Sequence, residues 1–154
     1  MRRKRLRKKE AKRVSEELRE TAGIDVSGDM DIVDFGKVKV ILVNNEPLLI
    51  EYDGKHYVSV YGAIKLKPEK YRIEVDEGAL KFVMNGADVM KPGIVYADER
   101  IKEGDFVYVT VEGKESPIAV GIALCSGKEM REGKGKAVKN LHHLKDNVWK
   151  HFFG

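Results

Sequence analysis

The chain has 154 residues and a formal net charge of +4, and hydrophobic residues make up 42% of it, enough for one ordinary core or two small ones. Its single cysteine, Cys125, excludes an internal disulfide and fits a reducing compartment. No apolar run reaches the roughly 18 to 20 residues of a membrane-spanning helix, and the basic start lacks the apolar segment of a secretory signal. We therefore expect a cytoplasmic protein with no membrane partner.

The charge is distributed unevenly along the chain. Residues 1–13 hold nine lysine or arginine residues and one glutamate. Residues 14–125 hold 13 basic and 21 acidic residues, and residues 126–154 hold seven basic and three acidic ones. Both ends would therefore attract a polyanion, and the middle would repel it.

The first predicted element is a helix over residues 4–22 that ends at Gly23. Its thin apolar stripe is formed by Leu6, Ala11, Val14, Leu18 and Ala22. The basic residues at its start repel one another at helical spacing. We interpret residues 1–13 as an arm or helix that contacts RNA, and the alternative is a solvated basic tail.

From Met30 the pattern changes to short β-rich runs, and the first half is predicted to be a small α+β unit. Asn44-Asn45 is a turn signal, and Asp53-Gly54 is a hairpin signal. The best boundary is the charged, proline-bearing segment 65–70, so we divide the chain into residues 1–70 and 71–154. The predicted strands are Met30–Phe35, Lys37–Val43, Pro47–Glu51 and Tyr57–Val60.

The second half is predicted to be a closed or nearly closed barrel, because short strands alternate with glycine turns. A strand begins at Ile73 and Val75, and a helix over residues 77–86 follows, which the acidic pair Asp76-Glu77 caps. A strand over residues 88–95 is interrupted by Pro92-Gly93, which suits an edge or a bulge. Further strands are predicted at Phe106–Val111, Pro117–Leu124 and after Gly133–Lys139.

The order of elements from Gly78 to Ile94 resembles the start of a PUA domain, an RNA-binding module. Three further stretches resemble the same family: Glu103–Val111, Ile118–Met130 and Gly133–Val138. The preceding small domain and the ending Lys136–Trp149 look like archaeal relatives of a eukaryotic translation factor. That factor works with the density-regulated protein in reinitiation and ribosome recycling, and ligatin contains the same pair of domains.

The resemblance implies an α+β fold class: a small N-terminal α+β domain followed by a C-terminal PUA-type β-barrel with short helices. It also implies an RNA-binding surface formed by Lys81, Gly86, Ala87, Met90, Lys91, Pro92, Gly93, Lys134 and Lys136. Small residues leave the backbone accessible, while lysines supply charge. The alternative for Gly86 is a simple helix stop, and for Gly93 a strand bend. The basic residues Arg2, Arg3, Lys4 and Arg5 are added from the N-terminal arm.

No enzyme, metal or cofactor chemistry is evident from the motifs. Gly133-Lys-Gly-Lys136 lacks the full phosphate-loop pattern, and a strand follows it where that motif needs a helix. The adjacent His142 and His143 point to opposite faces of a strand and would rarely bind one ion. The chain ends in three aromatic residues, Trp149, Phe152 and Phe153. We expect them to dock the C-terminus onto the domain, and the alternative is base stacking or a partner contact.

The leading hypothesis is therefore a non-catalytic RNA-binding protein of translation. Its expected partners are tRNA or ribosomal RNA, with the small ribosomal subunit and an initiation-factor-like protein as further candidates. One alternative is an accessory RNA-binding subunit of an RNA-modification enzyme. A third hypothesis is a module that docks only to proteins.

Overall fold

A computed structural model describes all 154 residues of the chain. The helices are α1 (Lys8–Ala22), α2 (Val60–Leu66), α3 (Glu77–Met84) and α4 (Asn147–Phe153). The strands are β1 (Lys4–Arg5), β2 (Met30–Asp34), β3 (Lys39–Val43), β4 (Glu46–Tyr52), β5 (Lys55–Val58), β6 (Arg72–Val75), β7 (Val89–Met90), β8 (Ile94–Ala97), β9 (Phe106–Val111), β10 (Ala119–Ala123) and β11 (Lys136–His143).

Strands β1 to β5 form one antiparallel sheet in chain order. Its two predicted turns are present, and Asn44, Asn45, Asp53 and Gly54 all adopt positive φ. Two consecutive residues with positive φ match the right-handed twist of a hairpin. Helix α1 buries four of the five residues of the predicted apolar stripe, all except Leu6, which precedes the helix. The N-terminal half is therefore an α+β unit, as expected.

Helix α1 begins at Lys8, and the predicted start at residue 4 is wrong. Lys4 pairs with Ile32 and Arg5 with Asp31, so these two residues form a short edge strand. The Leu6 N–H donates to the carbonyl of Met30 at 2.9 Å. Pairing with β2 gives the backbone groups of these residues hydrogen-bond partners. It also keeps their basic side chains out of a helical turn, in which neighbouring like charges would repel one another.

Helix α2 is absent from the prediction, which instead extended a strand to Val60. The strand ends at Val58, and the buried Ser59 caps the helix by accepting a hydrogen bond from the Gly62 N–H at 2.9 Å. A Cβ on Gly62 would lie 2.2 Å from the carbonyl oxygen of Leu48. The glycine therefore allows α2 to lie directly on β4.

The remaining strands form a six-stranded sheet in the order β7-β11-β10-β9-β6-β8. Only the β6–β9 pair is parallel. The predicted strand over residues 88–95 is in fact two strands, β7 and β8, at opposite edges of this sheet. A short 3-10 turn, Lys91–Gly93, joins them. Because one turn connects both edges, the sheet closes into a nearly complete barrel, as predicted.

Helix α4 docks the end of the chain onto the N-terminal half. The ring of Phe152 lies 5.8 Å from that of Phe35, and the ring of Phe153 lies 5.0 Å from that of Tyr61. Aromatic pairs at these distances stabilise beyond the area they bury. The terminal aromatic residues therefore dock the chain end, as predicted, but the surface that receives Phe152 and Phe153 belongs to the N-terminal half.

Candidate nucleic-acid interface

A groove of about 650 Å³ lies between α3, β7 and the 3-10 turn. Two large apolar side chains at this groove are unusually open, since Phe82 is 56% exposed and Met90 is 47% exposed. The rest of its apolar lining is Ala79, Val83, Ala87, Val89 and Pro92, and its charged lining is Asp76, Asp88 and Lys136. Exposed aromatic surface beside a groove is a common platform for a ligand.

The walls of this groove are held by backbone contacts. The Asp76 side chain caps α3 by accepting from the Ala79 N–H at 2.9 Å, as its position in the sequence predicted. The Asp76 N–H donates to the carbonyl of Gly93 at 2.9 Å, which fixes the 3-10 turn against the start of α3. A Cβ on Gly93 would lie 3.2 Å from the Ala79 Cβ, so this approach suits glycine.

Asp88 and Lys136 form an ion pair at one side of the groove, with 3.1 Å between Oδ2 and Nζ. Partial burial raises the pKa of Asp88, but the N–H of Asn140 and the Lys136 ammonium bond its carboxylate and hold the pKa below its usual value. The carboxylate is therefore charged at neutral pH. Because Asp88 already neutralises Lys136, this lysine offers a ligand less net positive charge than an unpaired lysine would.

The structure brings together five of the predicted site residues in this groove: Ala87, Met90, Pro92, Gly93 and Lys136. The Lys91 N–H donates to the carbonyl of Gly135 at 2.8 Å, which places the exposed Lys134 in the loop beside the turn. The Nζ atom of Lys81 lies 5.2 Å from the centre of the Phe82 ring. These three lysines lie on segments next to the groove but do not line it.

Gly86 lines a different cleft. This cleft has a volume of about 180 Å³ and lies between the end of α3, the start of α4 and the turn that joins β2 to β3. Gly86 has a φ of +89°, and a Cβ there would lie 3.6 Å from His143 Nε2. The positive φ at residue 86 therefore favours glycine, although the space beside His143 would hold a small side chain.

The N-terminal arm is partly neutralised by the protein itself. Arg3 Nη2 lies 2.7 Å from one oxygen of Asp31, and Arg5 Nε lies 2.6 Å from the other. The hydrogen bond from Arg5 and the neighbouring Arg3 lower the pKa of Asp31, despite some burial. Arg2 and Lys4 are exposed and form no ion pair. The four predicted arm residues therefore divide into two paired and two free cations.

Phe82 is a candidate site residue that sequence reasoning missed. The signal was available, because the apolar stripe of α3 runs through Leu80, Val83 and Met84 and leaves Phe82 outside it. An aromatic residue off the core-facing stripe of a short helix indicates exposure. Phe82 is also the side chain that gives the groove its aromatic surface.

His142 and His143 face different surroundings. His142 is buried, and its Nδ1 lies 2.7 Å from Asp146, while half-buried His143 contacts the carbonyl of Leu144. No cluster of three or more histidine, cysteine, aspartate or glutamate side chains in the chain has the arrangement of a metal site. None of the helices combines the length and the hydropathy needed to cross a membrane.

The comparisons with known proteins agree with this architecture. The PUA domain family matches residues 71–144, and a domain of unknown function, DUF1947, matches residues 2–66. An uncharacterized protein from Methanocaldococcus jannaschii is 46% identical over 150 residues, which cover 94% of this chain and 93% of that protein. The chain belongs to the family of PUA-domain proteins that carry this N-terminal domain, as the resemblance indicated.

Two further relatives extend the comparison. The crystal structure of a hypothetical protein from Pyrococcus horikoshii has a TM-score of 0.84 and 39% identity, and the match covers 97% of this chain and 99% of that one. Translation machinery-associated protein 20 of Schizosaccharomyces pombe is 39% identical over 114 residues, which cover 70% of this chain. The matched part spans 63% of the length of the yeast protein. The predicted similarity to a eukaryotic translation protein is confirmed.

Proposed function

We propose that this protein is a non-catalytic RNA-binding protein of translation that holds tRNA or small-subunit ribosomal RNA in the groove beside α3. The PUA family match supports RNA as the ligand, and the name of the yeast relative supports a role in translation. The small ribosomal subunit and an initiation-factor-like protein are the partners that we propose with it, in the cytoplasm. We also propose that the chain divides into two units at residues 70 and 71.

The exposed ring of Phe82 is the observation that carries the proposal. Its 56% exposure at a groove lined by Met90 and Pro92 leaves much of the ring accessible to a flat ligand. An unpaired base that stacks on an aromatic side chain contributes about 1 to 3 kcal/mol to RNA binding. We therefore assign the groove to an unpaired base of a structured RNA.

The lysines around the groove supply the second part of the interaction. Lys81, Lys91 and Lys134 form no ion pair within the protein, and we assign them to the phosphates on either side of the base. Phosphate contacts position an RNA but carry no sequence information. Selectivity in this proposal comes from the groove and from the backbone at Ala87 and Gly93.

The test is a Phe82→Ala variant, with binding of tRNA and small-subunit RNA measured by fluorescence anisotropy. We expect affinity to fall by about 5- to 150-fold, which corresponds to the loss of one stacked base. Tyr96→Ala is the matched control, because this ring is 40% exposed but lines another cleft with Asp98 and Arg100. Equal affinity for the parent and a folded Phe82→Ala variant would contradict the proposal.

The biological role needs a separate experiment. Capture of partners by the tagged full chain should recover small ribosomal subunits, and the Phe82→Ala variant should recover fewer of them. Recovery of an RNA-modification enzyme without ribosomal RNA would favour the accessory-subunit alternative. Turnover of a nucleotide or an RNA by the purified chain, lost on changing one residue, would contradict a non-catalytic role.

A further inference from the structure

The outer face of α1 carries a concentration of free positive charge. Helix α1 turns its apolar residues to the sheet and leaves Lys8, Lys9, Lys12 and Arg13 exposed. The ion pairs at this end of the chain are made instead by Arg3, Arg5, Arg7 and Arg19. The four cations at the start of α1 therefore have no ion-pair partner within the protein.

This arrangement is unfavourable for the helix itself. Lys8 and Lys9 are its first two residues, where the positive end of the helix dipole disfavours cations. Lys8 and Lys12 are four residues apart, as are Lys9 and Arg13, so each pair repels. Glu10 is the one acidic residue in the first turn. A bound polyanion would relieve all of these repulsions.

A cleft next to these residues adds polar groups. It has a volume of about 420 Å³ and lies between α1 and the loop 27–30, with Lys8, Lys12 and the hydroxyls of Ser15 and Ser27 in its lining. Two carboxylates also line it. One is Glu16, and the other is Asp29, which lies 3.7 Å from Arg5.

We propose that Lys8, Lys9, Lys12 and Arg13 form a second RNA-binding surface, which contacts the phosphate backbone without regard to sequence. The proposal depends on the proposed function only in taking RNA as the ligand, since this surface shares no residue with the groove. RNA is favoured because four cations within one and a half helical turns complement a linear array of phosphates. In this proposal the α1 surface positions the RNA through its phosphates, and the groove selects which RNA is bound.

The test uses the full chain with Lys8, Lys9, Lys12 and Arg13 all changed to glutamine. Its binding to a labelled oligouridylate RNA is measured over a salt series. Each phosphate contact contributes about −0.7 to the slope of log affinity against log salt for a single strand. We therefore expect the slope to become shallower by about 2 to 3.

The same variant should melt about 2 to 4 °C higher than the parent, because like-charge repulsion and the conflict with the helix dipole are removed. The matched control removes four exposed lysines elsewhere, by changing Lys55, Lys70, Lys102 and Lys114 to glutamine. It carries the same net charge, and we expect its slope to stay within about 1 of the parent value.

Two results of the salt series would overturn the proposal. One is an unchanged slope in the α1 variant. The other is an equal change in the matched control, which would mean that the slope depends on net charge alone. Binding of the parent to phosphatidylserine vesicles but not to the oligouridylate would also contradict it. Phe82→Ala should lower affinity without changing the slope, because stacking releases no counterions, so failure at one surface is distinguishable from failure at the other.

Discussion

Lys37 Nζ donates a 2.7 Å hydrogen bond to the backbone carbonyl of Asn140, and this bond joins the N-terminal sheet to the last strand of the barrel. The amide of Asn140 continues inward, since its Nδ2 donates to the carbonyls of Val83 and Ala87 at 3.1 and 3.0 Å. Asn140 therefore links Lys37 of the N-terminal half to the turn at the end of α3, and this turn borders the groove.

Replacing Asn140 by alanine should destabilise the protein and loosen that turn. Asn140 is buried, and the change removes the Nδ2 donor from the Ala87 carbonyl and one of two donors from the Val83 carbonyl, which the Gly86 N–H still bonds. We expect a loss of about 1 to 3 kcal/mol of unfolding free energy. Urea unfolding measures the loss, and RNA affinity should fall with it. Lys37→Met is the comparison, because it removes a bond from the same residue but leaves the turn intact. Lys37→Met should cost about 1 kcal/mol of unfolding free energy and preserve RNA affinity. If both variants lose the same stability and the same RNA affinity, the bonds from Asn140 to the turn do not support the groove.

The buried contacts of Asp146 should make stability depend on pH. Burial raises the pKa of Asp146, but the His142 side chain and the N–H groups of Trp149 and His143 outweigh it and lower the pKa. A carboxylate with a lowered folded-state pKa stabilises the protein fully above its ordinary pKa of about 3.9. This stabilisation is lost as the pH falls through the lower folded value.

The measurement is the urea midpoint between neutral and acidic pH for the parent and for Asp146→Asn. The parent should lose stability more steeply below about pH 4, because the variant has no carboxylate to titrate at this position. At neutral pH the variant should be less stable, and Asp146→Ala should lose about 1 kcal/mol more through the missing cap of α4. Parallel curves for parent and Asp146→Asn would contradict the assignment.

Gly62 and Gly78 should respond in opposite directions to alanine. A Cβ at Gly62 would meet the Leu48 carbonyl oxygen at 2.2 Å, so the backbone of α2 or β4 must move. Overpacking of this kind costs about 1 to 3 kcal/mol. A Cβ at Gly78 meets only Asp76 Oδ1 at 3.4 Å, and alanine suits the helix there, so stability should rise by about 0.5 to 1 kcal/mol. Thermal melts of the two variants compare the signs directly, and a stabilising Gly62→Ala change would refute the close contact.

Local signals account for the parts of the fold that the sequence predicts well. The hairpin turns at Asn44-Asn45 and Asp53-Gly54, the cap at Asp76 and the strand Phe106–Val111 all depend on residues within a few positions. Helix α2 had a similar signal in Ser59 but was missed, because its seven residues are too few for a clear helical period.

Long-range pairing explains the errors. Residues 4 and 5 have helix-compatible side chains, but β2 offers them backbone partners and Asp31, some 26 positions away in the chain. The strand predicted over residues 88–95 divides because its two parts pair with β11 and β6, which sequence reasoning on one segment cannot show. The separation of Gly86 from Gly93 has the same origin, since the cleft at Gly86 is completed by Phe35 and Lys37 of the other half.

Gly86 offers a test of whether RNA also reaches this second cleft. Both Gly86→Ala and Gly86→Gln force a residue with a Cβ into a φ of +89°, so each should lose about 1 kcal/mol of unfolding free energy. The Ala Cβ has room beside His143 Nε2, at 3.6 Å, whereas the longer Gln side chain extends into the cleft or over its opening. Specific binding of tRNA or small-subunit RNA should therefore fall in Gly86→Gln and not in Gly86→Ala, with oligouridylate binding unchanged in both. If folded Gly86→Gln binds the structured RNAs as the alanine variant does, Gly86 is a helix stop and the RNA surface is confined to the groove at Phe82.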